Sequence, residues 1–115
     1  MFGWLFGGGS SVPDLSPREA YEKLSSDGAV LLDVREYDEW EAGRVPGALH
    51  IPLGELQERR QDLPQERQIL TICRSGSRSA MAAKMLSEGG VDVANVSGGV
   101  RSWKKEGLPF EGRVA

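Results

Sequence analysis

Residues 69–79 read Ile69-Leu70-Thr71-Ile72-Cys73-Arg74-Ser75-Gly76-Ser77-Arg78-Ser79. The short apolar run that opens this stretch, with β-branched residues at three of its four positions, is the pattern of a strand covered on both faces. A compact Ser/Gly/Arg segment follows at once. Beyond it the spacing predicts a helix over about Arg78 to Glu88, with Ala82, Ala83 and Leu86 on its core-facing stripe and Gly89-Gly90 as its stop. Strand, tight loop and helix in that order begin a parallel crossover unit.

The same alternation extends in both directions. Val30 to Val34 is a second apolar run, broken only by Asp33, and reads as another doubly covered strand. Before it, Ser16-Pro17-Arg18-Glu19 is a strong helix start: Ser16 caps, Pro17 takes the first helical position and Glu19 closes a capping box. Ala20, Leu24 and Tyr21 then face inward, Leu15 staples onto Ala20, Gly28 closes the helix, and Val12 to Leu15 forms a short edge strand. Between the two central strands, Glu36 to Glu41 is a short helical turn with Tyr37 and Trp40 packing inward. Pro46-Gly47 turns the chain into a strand over Ala48 to Ile51, stopped by Pro52. Leu53, Leu56 and Leu63 mark a small amphipathic helix ended by Pro64. Val91 to Val96 is the last strand, and Gly98-Gly99 leads into a helix carrying Val100, Trp103 and Lys104. The expected fold class is α/β: three layers, with a mostly parallel five-stranded sheet and helices on both faces. In such folds a ligand site lies beyond the carboxyl ends of the strands, where Cys73 falls.

Composition narrows the function. A chain of 115 residues is a single domain on length. Its net charge of -3 gives no support for nucleic-acid binding, which calls for a basic stripe. His50 is the only histidine and Cys73 the only cysteine, so an internal disulfide, a cysteine-cluster metal site and a histidine-rich metal centre are excluded, and no metal or cofactor is expected. A lone thiol fits a reducing, cytoplasmic setting. Residues 1–11 form a separate apolar and glycine-rich segment, expected to be a flexible tail ahead of a domain over 12–115. Met1 to Phe6 is far short of the roughly 20 apolar residues that span a bilayer. No basic residue precedes it as in a signal peptide. Weak peripheral membrane contact through Phe2, Trp4 and Phe6 is the alternative to a disordered tail.

The segment at Cys73 carries the chemistry. If the loop curls so that its N–H groups converge, Gly76 accepts the required backbone conformation and the amides form an anion nest. The following helix adds its positive end. A thiolate held there should titrate well below the free value of about 8.5. An inert core thiol, the bland alternative, has no use for two guanidiniums beside it. Arg74 is read as exposed and available to an anionic substrate. Arg78 opens the helix, and two roles stand open for it: contact with substrate, or a brace for the loop with no substrate contact. Asp33, at a strand end, should be paired, with an arginine as partner, and is read with Arg35 as a support for the loops around the site. His50 is read as structural, and Trp40 and Trp103 as packing residues.

Three stretches in order resemble the single-domain rhodanese family, the thiosulfate sulfurtransferases, over about Val12 to Gly112. They are Leu31-Leu32-Asp33-Val34-Arg35-Glu36 with Glu39-Trp40; Gly43-Arg44-Val45-Pro46-Gly47-Ala48-Leu49-His50-Ile51-Pro52, where the family more often has His-Ile in place of Arg44-Val45; and Cys73 to Ser79, followed by Gly98-Gly99-Val100-Arg101-Ser102-Trp103. The resemblance implies a rhodanese-like domain and a double displacement. Cys73 takes sulfur from a small anionic donor such as thiosulfate, becomes a persulfide cradled by Arg74, Ser75, Gly76, Ser77, Arg78 and Ser79, and passes the sulfur to an external thiol, cyanide or a protein cysteine. Cysteine-dependent phosphatases use a related loop, but with one more residue between cysteine and arginine than the four found here. The shorter loop suits one sulfur atom better than a phosphoryl group.

Overall fold

The computed structural model describes residues 12–115. The expected tail over 1–11 therefore lies outside the described residues. Five strands, β1 (Asp14–Leu15), β2 (Val30–Asp33), β4 (Leu49–His50), β5 (Ile69–Ile72) and β6 (Val93–Val96), form one sheet in the order β1-β6-β5-β2-β4, and every neighbouring pair is parallel. Helices α1 (Pro17–Ser26) and α5 (Gly99–Lys105) cover one face, and α3 (Leu53–Leu56) and α4 (Ser77–Glu88) cover the other. This is the three-layer α/β arrangement expected from the alternating sequence.

Period-two side-chain alternation explains why the central strands are apolar throughout. Leu31, Leu70, Ile72, Ala94 and Val96 join Ala20, Val100 and Trp103 in one core, while Leu32, Ile69, Cys73 and Val93 join Leu56, Ala82, Ala83 and Leu86 in the other. Ser16 caps α1 reciprocally: its hydroxyl accepts from the Glu19 amide at 3.1 Å, and its own amide donates to the Glu19 carboxylate at 2.9 Å. Among the described residues no helix is long and apolar enough to cross a membrane.

Register brings the site together. Asp33 lies opposite both Ile72 of β5 and His50 of β4, so the segments leaving these strands emerge side by side at the carboxyl edge of the sheet. There α2 (Tyr37–Ala42) begins, and the chain turns out of β5 through Cys73.

Several local expectations need correction. Tyr37 does not pack inward: it is 53% exposed, with its hydroxyl 3.0 Å from the Glu55 carboxylate and its ring edge-on to His50. A phenol gains more from an accessible charged acceptor than from burial without a partner. The helix expected from Leu53 toward Leu63 is only one turn, followed by a 3₁₀ turn over Arg60–Asp62. Leu56 and Leu63 are nonetheless buried as the pattern required. The last strand starts at Val93, because the Val91 amide still donates to Leu86 O at the end of α4. A small antiparallel ribbon of β3 (Gly43–Arg44) and β7 (Glu111–Gly112) was not anticipated.

Candidate active site

Cys73 follows the last residue of β5 and is 1% exposed, walled by the α4-side core. Its Sγ accepts from the Gly76 amide at 3.1 Å and from the Ser79 hydroxyl at 3.3 Å. Gly76 has φ +116°, a conformation that a side chain resists, and it turns the loop so that its amide faces back onto the sulfur. Gly76 O is itself held by the Ala80 amide at 3.1 Å and Asn95 Nδ2 at 3.4 Å. Thr71 Oγ1 donates to Ser79 O at 2.9 Å, locking the first turn of α4 to β5.

Burial pushes the Cys73 thiol up. The Ser79 hydroxyl, together with the amides of Ser79, Gly76 and Ser75, stabilises the thiolate by more, and the net shift is downward. Alkylation of Cys73 by iodoacetamide, followed against pH, is therefore expected to reach half its maximum below the ordinary thiol value. Ser79→Ala should move that midpoint upward while the circular dichroism spectrum stays native. A midpoint unmoved by Ser79→Ala would show that the hydroxyl does not stabilise the thiolate.

The two arginines of the loop differ. Arg78 makes a two-pronged pair with Glu39 of α2, Nη1 to Oε1 at 2.7 Å and Nη2 to Oε2 at 2.8 Å. The pair ties the start of α4 to α2, the contact that a brace for the loop requires. Arg74 is half-buried rather than fully exposed, and its Nε donates to Ala115 O at 2.8 Å. Ser75 and Ser77 are exposed, with Ser77 opening α4.

Asp33 and Arg35 are both fully buried and paired, with Arg35 Nη2 at 2.8 Å and Nε at 3.0 Å from the carboxylate. Arg35 Nη2 also donates to Gly43 O at 2.7 Å, and Nη1 to Glu39 O at 3.3 Å, so the pair fixes the far end of α2 against β2. His50 Nε2 donates to Arg35 O at 2.7 Å while its ring stacks on half-buried Trp40 at 4.6 Å, a structural arrangement. Trp103 is fully buried in the α1/α5 core, 5.9 Å from the Tyr21 ring, with its Nε1 donating to Pro109 O.

Two contributors escaped the sequence reading as site residues. Glu39 links the Asp33–Arg35 anchor to the Cys73 loop, and its partner Arg78 is 39 positions away, beyond any local pattern. Hydrogen bonding from Arg78, aided by the Glu36 amide, outweighs burial and holds the Glu39 carboxyl down to about 2. A carboxylate depressed on folding contributes stability that is present above its unfolded value and is lost as pH falls through the folded one. Wild type should accordingly lose part of its stability between the usual carboxylate range and about pH 2. In Glu39→Gln that loss should shrink, read from urea midpoints across the acid range. An unchanged acid profile would contradict the pairing.

Gly99 is the second. The amides of Val100 and Arg101 donate to Cys73 O at 2.8 Å and to Arg74 O at 3.2 Å, so the start of α5 lies directly against the loop backbone. Gly99 has φ +62°, and a Cβ there would run into the main chain of Cys73 and Arg74. The glycine pair at 98–99 was the available signal. Gly99→Ala should lower the midpoint of thermal unfolding. Wild-type behaviour would mean that the helix start yields freely.

Residues 16–106 match the family described as the rhodanese-like domain. The chain is 44% identical over 96 residues to "Putative sulfur carrier protein YrkF" of Bacillus subtilis, covering 82% of this chain and 52% of that one; it spans about half the length of this relative. It is 34% identical over 101 residues to "Sulfurtransferase" of Allochromatium vinosum, covering 86% of this chain and 94% of the relative. A crystal structure of a rhodanese-related protein from Thermoplasma volcanium is similar at a TM-score of 0.79 and 34% identity, over 85% of this chain and 96% of that one. Fold, strand-end cysteine loop and sequence matches agree, and the chain belongs to the rhodanese-like domain family.

Proposed function

We propose that the protein is a sulfurtransferase of the rhodanese type, working through a persulfide on Cys73. Sulfur transfer in general is supported by the family match and by relatives named for that activity. The observation that carries the finer reading is the pair of donors on Cys73 Sγ at the end of β5, the Gly76 amide and the Ser79 hydroxyl.

The Cys73 thiolate attacks the outer sulfur of thiosulfate. A new S–S bond forms, the donor's S–S bond breaks, and sulfite leaves with the bonding pair. The negative charge of the thiolate, and then of the persulfide, is met by the Gly76 amide and the Ser79 hydroxyl, donors already in place before the reaction and of the preorganised kind that stabilises charge most strongly. An acceptor thiolate or cyanide attacks that terminal sulfur, and Cys73 leaves as the thiolate it began as. Asp33, Arg35, Glu39 and Arg78 act through position, holding α2 and the loop in one geometry. A reducing, cytoplasmic location accompanies this reading, since it rests on a free thiol.

Two-substrate initial rates with thiosulfate and cyanide test the cycle. Parallel double-reciprocal lines are expected, because sulfite departs before the acceptor binds. Intersecting lines would place donor and acceptor on the protein together and overturn the double displacement.

A further inference from the structure

The net charge of -3 is not evenly spread. Arg74, Arg101, Lys104 and Lys105, with Val114, line a concavity of about 310 Å³. Arg74 is the residue after Cys73, and the Arg101 amide donates to Arg74 O, so this basic surface is continuous with the loop that carries the nucleophile. Arg101 to Lys105 rise about 6 Å along the helix axis at 1.5 Å per residue. Lys104 is held in place, with Nζ 3.3 Å from Gly112 O and 5.5 Å from the centre of the Phe110 ring. Arg101 and Lys105 are exposed, and among the described residues no hydrogen bond or ion pair engages either side chain. Unneutralised charge of one sign beside a reactive group steers whatever must approach it.

The occupant follows from the lining. Four cations and a valine offer none of the hydroxyl, amide or aromatic groups that orient a small ligand in its pocket. Cations on the outer side of a surface helix instead match an extended acidic face, for which charge complementarity sets encounter rate and partner choice. With no second cysteine in the chain, the terminal sulfur has to leave to an acceptor from outside. We propose that the Arg74–Arg101–Lys104–Lys105 surface docks an acidic acceptor protein that presents a cysteine to the Cys73 persulfide. This rests on the sulfur-transfer reading above. In the step itself the acceptor thiolate, its proton given to solvent, attacks the terminal sulfur. The Cys73 S–S bond breaks with its electron pair on Cys73 Sγ, and the acceptor becomes the persulfide.

The test uses full-length protein loaded from thiosulfate and three acceptors: 2-mercaptoethanol, a synthetic peptide with one cysteine flanked by aspartates, and the same peptide with asparagines. Peptide rates are normalised to each peptide's reaction with a neutral small disulfide, which removes differences in thiol reactivity. The aspartate peptide should be used about tenfold faster or more at about 10 mM salt, and the preference should vanish near 1 M, where charges are screened within about 3 Å. Arg101→Glu combined with Lys105→Glu should erase or reverse the preference while transfer to 2-mercaptoethanol is retained. Equal use of both peptides by wild type, or a preference surviving the charge reversal, would overturn the docking surface. Saturable binding of inorganic pyrophosphate, lost in the same variant, would make this a small-anion site and overturn it equally. Absence of transfer even to 2-mercaptoethanol would strike the sulfurtransferase reading itself, which separates the two failures.

Discussion

Replacing Cys73 by serine is expected to abolish sulfur transfer to every acceptor and to leave the fold in place. The chain has no second thiol that could take over, and a serine hydroxyl neither ionises near neutrality nor holds sulfur as a persulfide. Structurally the exchange is mild. The side chain is buried and close to isosteric, and an Oγ can still accept from the Gly76 amide and the Ser79 hydroxyl that now reach Sγ. The expected result is activity at the uncatalysed background, with an unfolding midpoint close to wild type. Residual turnover above background in Cys73→Ser would move the chemistry to another residue.

The second large effect is on stability. In Arg35→Met the aliphatic volume is kept, but the carboxylate of Asp33 stays fully buried with its ion-pair partner gone. Breaking a buried pair in this one-sided way costs about 3–5 kcal/mol, a large share of the roughly 5–15 kcal/mol that holds a domain together. Arg35 also supplies donors to Gly43 O and Glu39 O, so α2 should loosen and take Glu39 away from Arg78. Urea unfolding should show the midpoint collapse, and Asp33→Asn added to Arg35→Met should recover part of it by removing the stranded charge. A single variant as stable as wild type would mean that water or a rearranged donor reaches Asp33, and that the pair does not anchor α2.

The sheet and its covering helices were legible because each is announced by a local signal. The run at Ile69–Ile72, the capping box at Ser16 and Glu19, and the glycines closing α4 require no knowledge of distant residues. The position of Cys73 beyond a strand end followed from the same alternation. What was not legible depends on contacts across the fold. Glu39 looks like any acidic residue of a short helix until α4 places Arg78 against it. β3 and β7, made of glycine and charged residues, carry no apolar signal, and their pairing joins positions nearly seventy apart. Tyr37 carries an apolar ring that suggested burial. Its hydroxyl found Glu55, 18 positions on, and the ring stayed at the surface. Arg74 reads as a free cation in the sequence, whereas the returning segment at Ala115 takes one of its donors.

In the proposed cycle the transferred sulfur is carried on Cys73 Sγ. Intact-protein and peptide mass spectrometry after incubation with thiosulfate and removal of excess donor tests it most directly. The expected result is a gain of one sulfur atom, localised to the peptide containing Cys73, discharged by cyanide and absent in Cys73→Ser. A wild-type protein that gains no sulfur from thiosulfate or any other sulfane donor, or that carries it on a peptide lacking Cys73, would contradict the account.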